Sequence, residues 1–163
     1  MAGRTTKKHS AGLLLYRWRA EEVEVLLAHP GGPFWARKDK GAWTIPKGMI
    51  EANEAPLDAA IREFTEETGF SVSGDFTQLG EVVQRGGKLV EAWAVEGDCD
   101  PAKLKPFLFE LEWPPRSGRM AQFPEIDRVV WFTLEDAREH ILASQLPFIE
   151  RLGAKLAGKA TEE

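Results

Sequence analysis

The stretch from Pro56 to Gly69 leaves the chain little choice of local structure. Leu57, Ala60, Ile61, Phe64 and Thr68 recur at i, i+3, i+4 and i+7 spacings, the period of one buried helix face. Pro56 sits just inside the start of that pattern and Gly69 just past its end, where each residue suits a helix boundary. The spacing therefore predicts a helix over 56–68 whose apolar stripe must find a partner layer. Beside the stripe stand Glu63, Glu66 and Glu67, which share an arc of roughly 100° at this pitch. Neighbouring carboxylates so placed repel by about 0.2–0.5 kcal/mol per pair, and Arg62 offsets only Glu66. A lone glutamate pair ordinarily means a solvated face. Three carboxylates bordering a core stripe converge at the rim of the packed layer, where a hard divalent cation with oxygen ligands would remove the repulsion.

The remaining elements suggest what the helix packs on. Ser10 to Tyr16 and Val23 to Ala28 are apolar runs separated by the polar segment Arg17 to Glu22, the pattern of two buried strands joined as a hairpin. Residues 29–41 are rich in Gly, Pro and charge and read as loop. Trp43 to Ile45 is a short extended piece stopped by Pro46. Further strands are expected at Thr77 to Gln84, Leu89 to Val95, Phe107 to Trp113 and Arg128 to Phe132, with Arg85-Gly86-Gly87-Lys88 as a hairpin turn. Thr133, with Asp136 three residues on, is a plausible N-cap for a helix to about Ala143. A last amphipathic helix carries Leu146, Ile149, Leu152 and Leu156, and tolerates Pro147 in its first turn. Strong helices among many strands point to a mixed α/β sandwich.

Composition narrows the function classes. At 163 residues the chain suits one domain, with residues 1–8 as a flexible arm and 9–160 as the folded unit. A net charge of −5 argues against sequence-independent binding to nucleic acid, which needs clustered cations. Cys99 is the only cysteine and His9, His29 and His140 the only histidines, too few for a tetrahedral zinc site or a disulfide framework. No apolar run approaches the length that spans a bilayer, and no signal-like segment follows the basic N-terminus. The expectation is a cytoplasmic protein with no membrane partner. Cys99 carries no assigned role, and His29, after a strand, is a candidate to serve the site with a packed or surface histidine as the alternative.

The pattern from Gly48 to Phe70 resembles a known family. Gly48, five residues, Glu54, seven residues, then Arg62-Glu63-Phe64-x-Glu66-Glu67-x-Gly69-Phe70 is similar to the Nudix box, and every fixed position is met. Given ordinary residue frequencies, a chance match is on the order of 10⁻⁷. The resemblance implies a Nudix-type α/β/α sandwich with a mixed central sheet, built around a loop–helix–loop. It implies Mg²⁺ or Mn²⁺ held by Glu63, Glu66 and Glu67, joined by the Gly48 carbonyl. Arg62 matches the arginine that orients the catalytic glutamate, Glu63, and Glu54 matches a supporting acid. Such enzymes hydrolyse a pyrophosphate bond in a nucleoside diphosphate linked to another group, so the implied partner is a nucleotide-like small molecule.

Outside the box the resemblance is looser. Trp43-Thr44-Ile45-Pro46-Lys47-Gly48 is similar to the Trp-x-x-Pro-Lys-Gly entry of Nudix members acting on diadenosine polyphosphates and diphosphoinositol polyphosphates. Lys47, and Arg37 with Lys38 and Lys40 in the preceding loop, are candidates for outer phosphates. Trp43 and Trp35 are candidates for base stacking, worth about 1–3 kcal/mol per base, with core or loop packing as the alternative for each. Trp93 and Trp131 lie in strand patterns and read as core. One further glutamate before a late strand is expected as metal ligand or base. Glu125, six residues before Trp131, fits that place, with Asp127, Glu110 and Glu112 as competitors. The implied function is a Mg²⁺-dependent hydrolase, with a dinucleoside polyphosphate as the closest substrate. A nucleoside triphosphate pyrophosphohydrolase and a non-catalytic nucleotide-sensing domain are the alternatives.

Overall fold

A computed structural model describes residues 8–162. The arm expected over 1–8 lies outside them except for Lys8, whose carbonyl accepts a bond from the Leu89 N–H.

A six-stranded sheet runs in the order β4-β5-β1-β2-β8. These strands are β1 (His9–Arg19), β2 (Glu22–Pro30), β4 (Thr77–Val83), β5 (Leu89–Glu96) and β8 (Ile126–Thr133), and β3 (Lys47–Met49) pairs β1 off this path. β1 and β5 are parallel and the other pairings antiparallel, so the sheet is mixed. Central strands covered on both faces read as continuous apolar runs, and β1 does. Leu14 and Tyr16 face one core, with Val25 and Leu27 of β2. Leu13 and Leu15 face the other, with Leu26 and Ala28. Helix α1 (Pro56–Thr68) covers the second face through buried Ala59, Ala60 and Phe64. Helices α2 (Leu134–His140) and α3 (Leu146–Glu162) cover the first through Ala137, Phe148, Ile149 and Leu152. The result is an α/β/α sandwich.

Helix α1 ends where its residues dictate. Pro56 opens it, its N-cap Ala55 offers no side-chain bond, and Gly69 closes it at φ 79°, a left-handed conformation open to glycine at little cost. Several boundaries depart from expectation. β2 continues through His29 and Pro30, which pair with Arg128 and Ile126, so β8 begins at Ile126. α2 stops at His140, short of Ala143, because Ile141 turns extended to bridge Trp43. The segment before α1 is inserted between β1 and β2: Thr44 exchanges both backbone bonds with Ala28, and the Leu13 N–H reaches the Pro46 carbonyl. β3 follows that insertion. A separate hairpin joins β6 (Leu108–Glu112) to β7 (Met120–Pro124). Of the two, β7 was not expected, since no clean alternation marks it beside the Pro-rich loop. The expected turn at 85–88 is a short 3₁₀ turn with Gly86 at φ 85°.

Candidate active site

The wedge that the inserted segment opens between β1 and β2 lies against α1, and the charged residues collect there. Arg62 is their hub. Its Nε and Nη2 donate to the two carboxylate oxygens of Glu54 at 2.8 and 3.0 Å. Its Nη1 donates to Glu63 at 2.8 Å and to Glu66 at 3.1 Å, and Nη2 also reaches the Met49 carbonyl. Two bonds into one carboxylate need the planar guanidinium fork. The Glu54 carboxyl is held down at about 2 by the Arg62 bonds, and Arg62 is raised in turn, chiefly by Glu54.

Glu63 lies against the backbone of Gly48. A Cβ at position 48 would stand 2.0 Å from the Glu63 carboxylate, so the close approach requires glycine. Burial raises the Glu63 carboxyl despite its bond from Arg62. Glu67, one helical turn on, reaches the neighbouring residue of the same strand, accepting the Lys47 N–H at 3.2 Å. Burial pushes its carboxyl up to about 8, and burial, with Lys88 beside it, brings the Lys47 ammonium down to about 8.

A cavity of about 270 Å³ opens next to Glu67. Lys47, Glu67, Glu125, Trp35 and Gln84 are among its lining residues. Glu125 sits at the junction of β7 and β8, where its N–H donates to the Phe107 carbonyl and its own carbonyl accepts from Gly31. The competitor Asp127 faces elsewhere: its carboxylate meets His29 Nδ1 at 2.9 and 3.1 Å. His29 is fully buried, and its Nε2 lies 2.6 Å from the Lys38 carbonyl. His29 therefore ties the 31–41 loop to β8 rather than entering the cavity.

Of the sequence candidates, Lys47, Glu67, Glu125 and Trp35 line the cavity, whereas Glu63, Glu66, Gly48, Trp43, Arg37, Lys38 and Lys40 are not among its lining residues. Trp43 is 3% exposed, set edge-on to both His29 and Phe132 at 5.0 Å, with Arg128 over its ring. It has no face free for a base and serves the core. Arg37 is exposed in the 31–41 loop and is not among the lining residues. Trp35 does line the cavity, with Lys38 4.9 Å from its ring centroid. Trp93 is buried as expected, and Trp131 is half-buried under Arg17. Gln84 also lines the cavity, although nothing near it in the chain marks it for that place.

Among the described residues no three acidic, His or Cys side chains are already gathered around one point. Arg62 accounts for this, because its Nη1 holds Glu63 and Glu66 while Glu67 turns to Lys47. The donor set still fits a hard cation. Glu63 and Glu66 already converge on one cationic nitrogen, and Glu63 abuts the backbone of Gly48. All are oxygen donors, the kind Mg²⁺ and Mn²⁺ prefer.

Residues 7–152 match the NUDIX domain family. An uncharacterized Nudix hydrolase from Rhodococcus erythropolis is 31% identical over 112 residues, 68% of this chain and 56% of that protein. An RNA pyrophosphohydrolase from Halorhodospira halophila is 45% identical over 60 residues, 36% of this chain and 33% of that one. The matched regions thus span between a third and just over half of these curated relatives. Among solved structures, a C. elegans Ap4A hydrolase binary complex aligns with a TM-score of 0.65 at 25% identity, covering 93% of this chain and 98% of that one. No helix of the described residues is long and apolar enough to cross a membrane.

Proposed function

The chain belongs to the Nudix family, and on that premise we propose that it is a divalent-metal-dependent hydrolase of pyrophosphate bonds in nucleotide-like substrates, with dinucleoside polyphosphates as the preferred class. The observation that carries the reading is the convergence of the Arg62-bound carboxylates, Gly48 and the Glu67–Glu125 cavity on one rim of the sheet. Glu63, Glu66, Glu67 and Glu125, with the Gly48 carbonyl, would hold Mg²⁺ or Mn²⁺. When bound, that cation polarises the phosphoanhydride oxygens and acidifies attacking water.

The other work falls to the chain's own side chains. Arg62, braced by Glu54, fixes the Glu63 carboxylate in one orientation. Glu63 accepts the proton of the attacking water, a task suited to a carboxylate raised by burial. Lys47 meets a phosphate oxygen from the cavity wall, and Trp35 offers its ring to a base. Positioning and electrostatics of this kind carry most of the barrier reduction in phosphoryl transfer.

Two observations support the dinucleoside polyphosphate class: the likeness to the C. elegans Ap4A hydrolase complex and the Trp43 to Gly48 entry sequence. The 45% identity to an RNA pyrophosphohydrolase over 60 residues favours a second reading, removal of pyrophosphate from the 5′ end of RNA, but a net charge of −5 opposes it. The test is a substrate panel in Mg²⁺ and in EDTA: diadenosine tetraphosphate, nucleoside triphosphates, ADP-ribose, diphosphoinositol phosphates and 5′-triphosphorylated RNA. The expected outcome is fastest conversion of diadenosine tetraphosphate to ATP and AMP, abolished by EDTA. Absence of Mg²⁺-dependent turnover across the panel would overturn the hydrolase reading in favour of a nucleotide-sensing domain.

A further inference from the structure

Between the cavity and the core runs a chain of two glutamine amides whose polarity the backbone dictates. Gln145 is fully buried, and its Oε1 accepts the Ile45 N–H at 3.0 Å. A backbone N–H only donates, so the oxygen of Gln145 must face Ile45 and its NH₂ must face outward. That NH₂ donates to Gln84 Oε1 at 2.9 Å. Gln84 is thereby oriented as well: its oxygen is used inward, and its own NH₂ is left with no partner among the described residues. The Gln84 backbone is held too, its N–H donating to the Lys88 carbonyl at 2.7 Å.

Gln84 lines the same cavity as Lys47, Glu67 and Glu125, and Lys88, four residues on, stands beside the Lys47 ammonium. A neutral double donor next to two cations suits an anionic oxygen, because it adds hydrogen bonds without adding charge. A base nitrogen or carbonyl would use the donor but not the cations. We propose that Gln84 is a specificity-determining residue that donates its amide N–H groups to a non-bridging phosphate oxygen of the substrate, and that Gln145 is the positioning residue that fixes this polarity. The inference rests on the pyrophosphate-hydrolase reading above and adds to it a contact outside the acidic helix.

Gln84→Glu replaces the donor with an acceptor of the same shape. Gln145→Glu keeps the bond from Ile45 but can no longer donate to Gln84, so the Gln84 amide turns its NH₂ inward and presents oxygen to the cavity. Both variants should raise KM for diadenosine tetraphosphate at least tenfold with kcat within threefold of wild type, as expected for a ground-state contact. Adding Gln145→Glu to a Gln84→Met background should change KM less than twofold, because Gln145 acts only through Gln84. Independent multiplication of the two effects, or a normal KM in Gln84→Glu, would overturn the proposal while leaving the hydrolase reading intact. If wild type turns over nothing in the panel, the hydrolase reading fails, and the contact is then decided by equilibrium binding. Titration with Mg²⁺–ADP, followed through the ¹⁵N side-chain amide signals, should shift the Gln84 NH₂ pair and show at least tenfold weaker binding in Gln84→Glu. Equal affinity, with the Gln84 signals unmoved, would refute it.

Discussion

Replacing Gly48 with alanine separates the site's geometry from the stability of the fold. A Cβ built there lies 2.0 Å from both Cδ and Oε2 of Glu63. Ordinary contact begins near 3.4 Å, so the carboxylate has to retreat by about 1.4 Å, and a misplacement of roughly 1 Å at a reacting group costs about 10²-fold in rate. The obstacle is the end of a flexible side chain rather than backbone, so the strand itself need not move. Gly48 lies outside the left-handed region, and alanine at such a position gains roughly 0.4–1 kcal/mol through the unfolded chain. Weakening the partly exposed Arg62–Glu63 pair offsets a similar amount. Gly48→Ala is therefore expected to keep its melting temperature within about 4 °C while kcat falls about 10²-fold at saturating Mg²⁺. The paired assays are calorimetry without metal and product formation from the best panel substrate. Gly153→Ala is the control: its Cβ meets only Leu134 at an ordinary 3.7 Å, and the helix should gain up to about 1 kcal/mol with turnover unchanged. Turnover within threefold of wild type in a folded Gly48→Ala protein would refute the argument that Glu63 acts from this exact contact with the strand.

Arg62→Lys keeps the charge but lacks the fork that braces both Glu54 and Glu63. It should lose at least about tenfold in kcat, and wild-type turnover would reduce Arg62 to a surface ion-pair residue. Glu67→Gln should lower kcat by about 10² or more and raise the metal-free melting temperature, because it removes a carboxylate buried near Glu63 and Glu125. An unchanged Mg²⁺-induced stabilisation in that variant would contradict the ligand assignment. Glu125→Gln should cut kcat far more than it raises KM, with Asp127→Asn much milder for turnover; the reverse order would move the function to Asp127. Cys99 is pushed up to about 11, by burial first and by Asp98 second, so its reactive thiolate is scarce at pH 8. Its alkylation by iodoacetamide should run at least about 10²-fold slower than that of a free cysteine near pKa 8.5, and should quicken about tenfold per pH unit up to pH 10. Alkylation at the free-cysteine rate at pH 8 would contradict that shift.

What the sequence made legible is what local spacing encodes. The face of α1, its start at Pro56 and its stop at Gly69 follow from residues within one helix length, and the double-sided burial of β1 follows from its unbroken apolar run. The parallel pairing of β1 with β5 joins segments about eighty residues apart, and no local pattern announces it. β3 has three residues and owes its existence to the insertion between β1 and β2. Trp43 flanks the box, and its sequence position leaves base stacking and core packing both open; the same insertion decides for packing by carrying its ring into the core between His29 and Phe132.

The far wall of the site was hidden for the same reason. Glu125 and Asp127 are two residues apart, and in an uninterrupted strand they would project from the same face. Here the register shifts between His29 and Pro30, so that Pro30 pairs with Ile126 and His29 with Arg128. Such an irregularity re-aims side chains at a sheet margin. Gly31 makes it possible, because a Cβ there would lie 1.8 Å from the Pro124 carbonyl, and its N–H instead bonds the Glu125 carbonyl at 3.0 Å. Asp127 is left to meet the buried His29, and Glu125 is left on the cavity. The division of labour between two acids of similar chemistry thus comes from a glycine almost a hundred residues away in the chain, whose missing Cβ admits the Pro124 carbonyl.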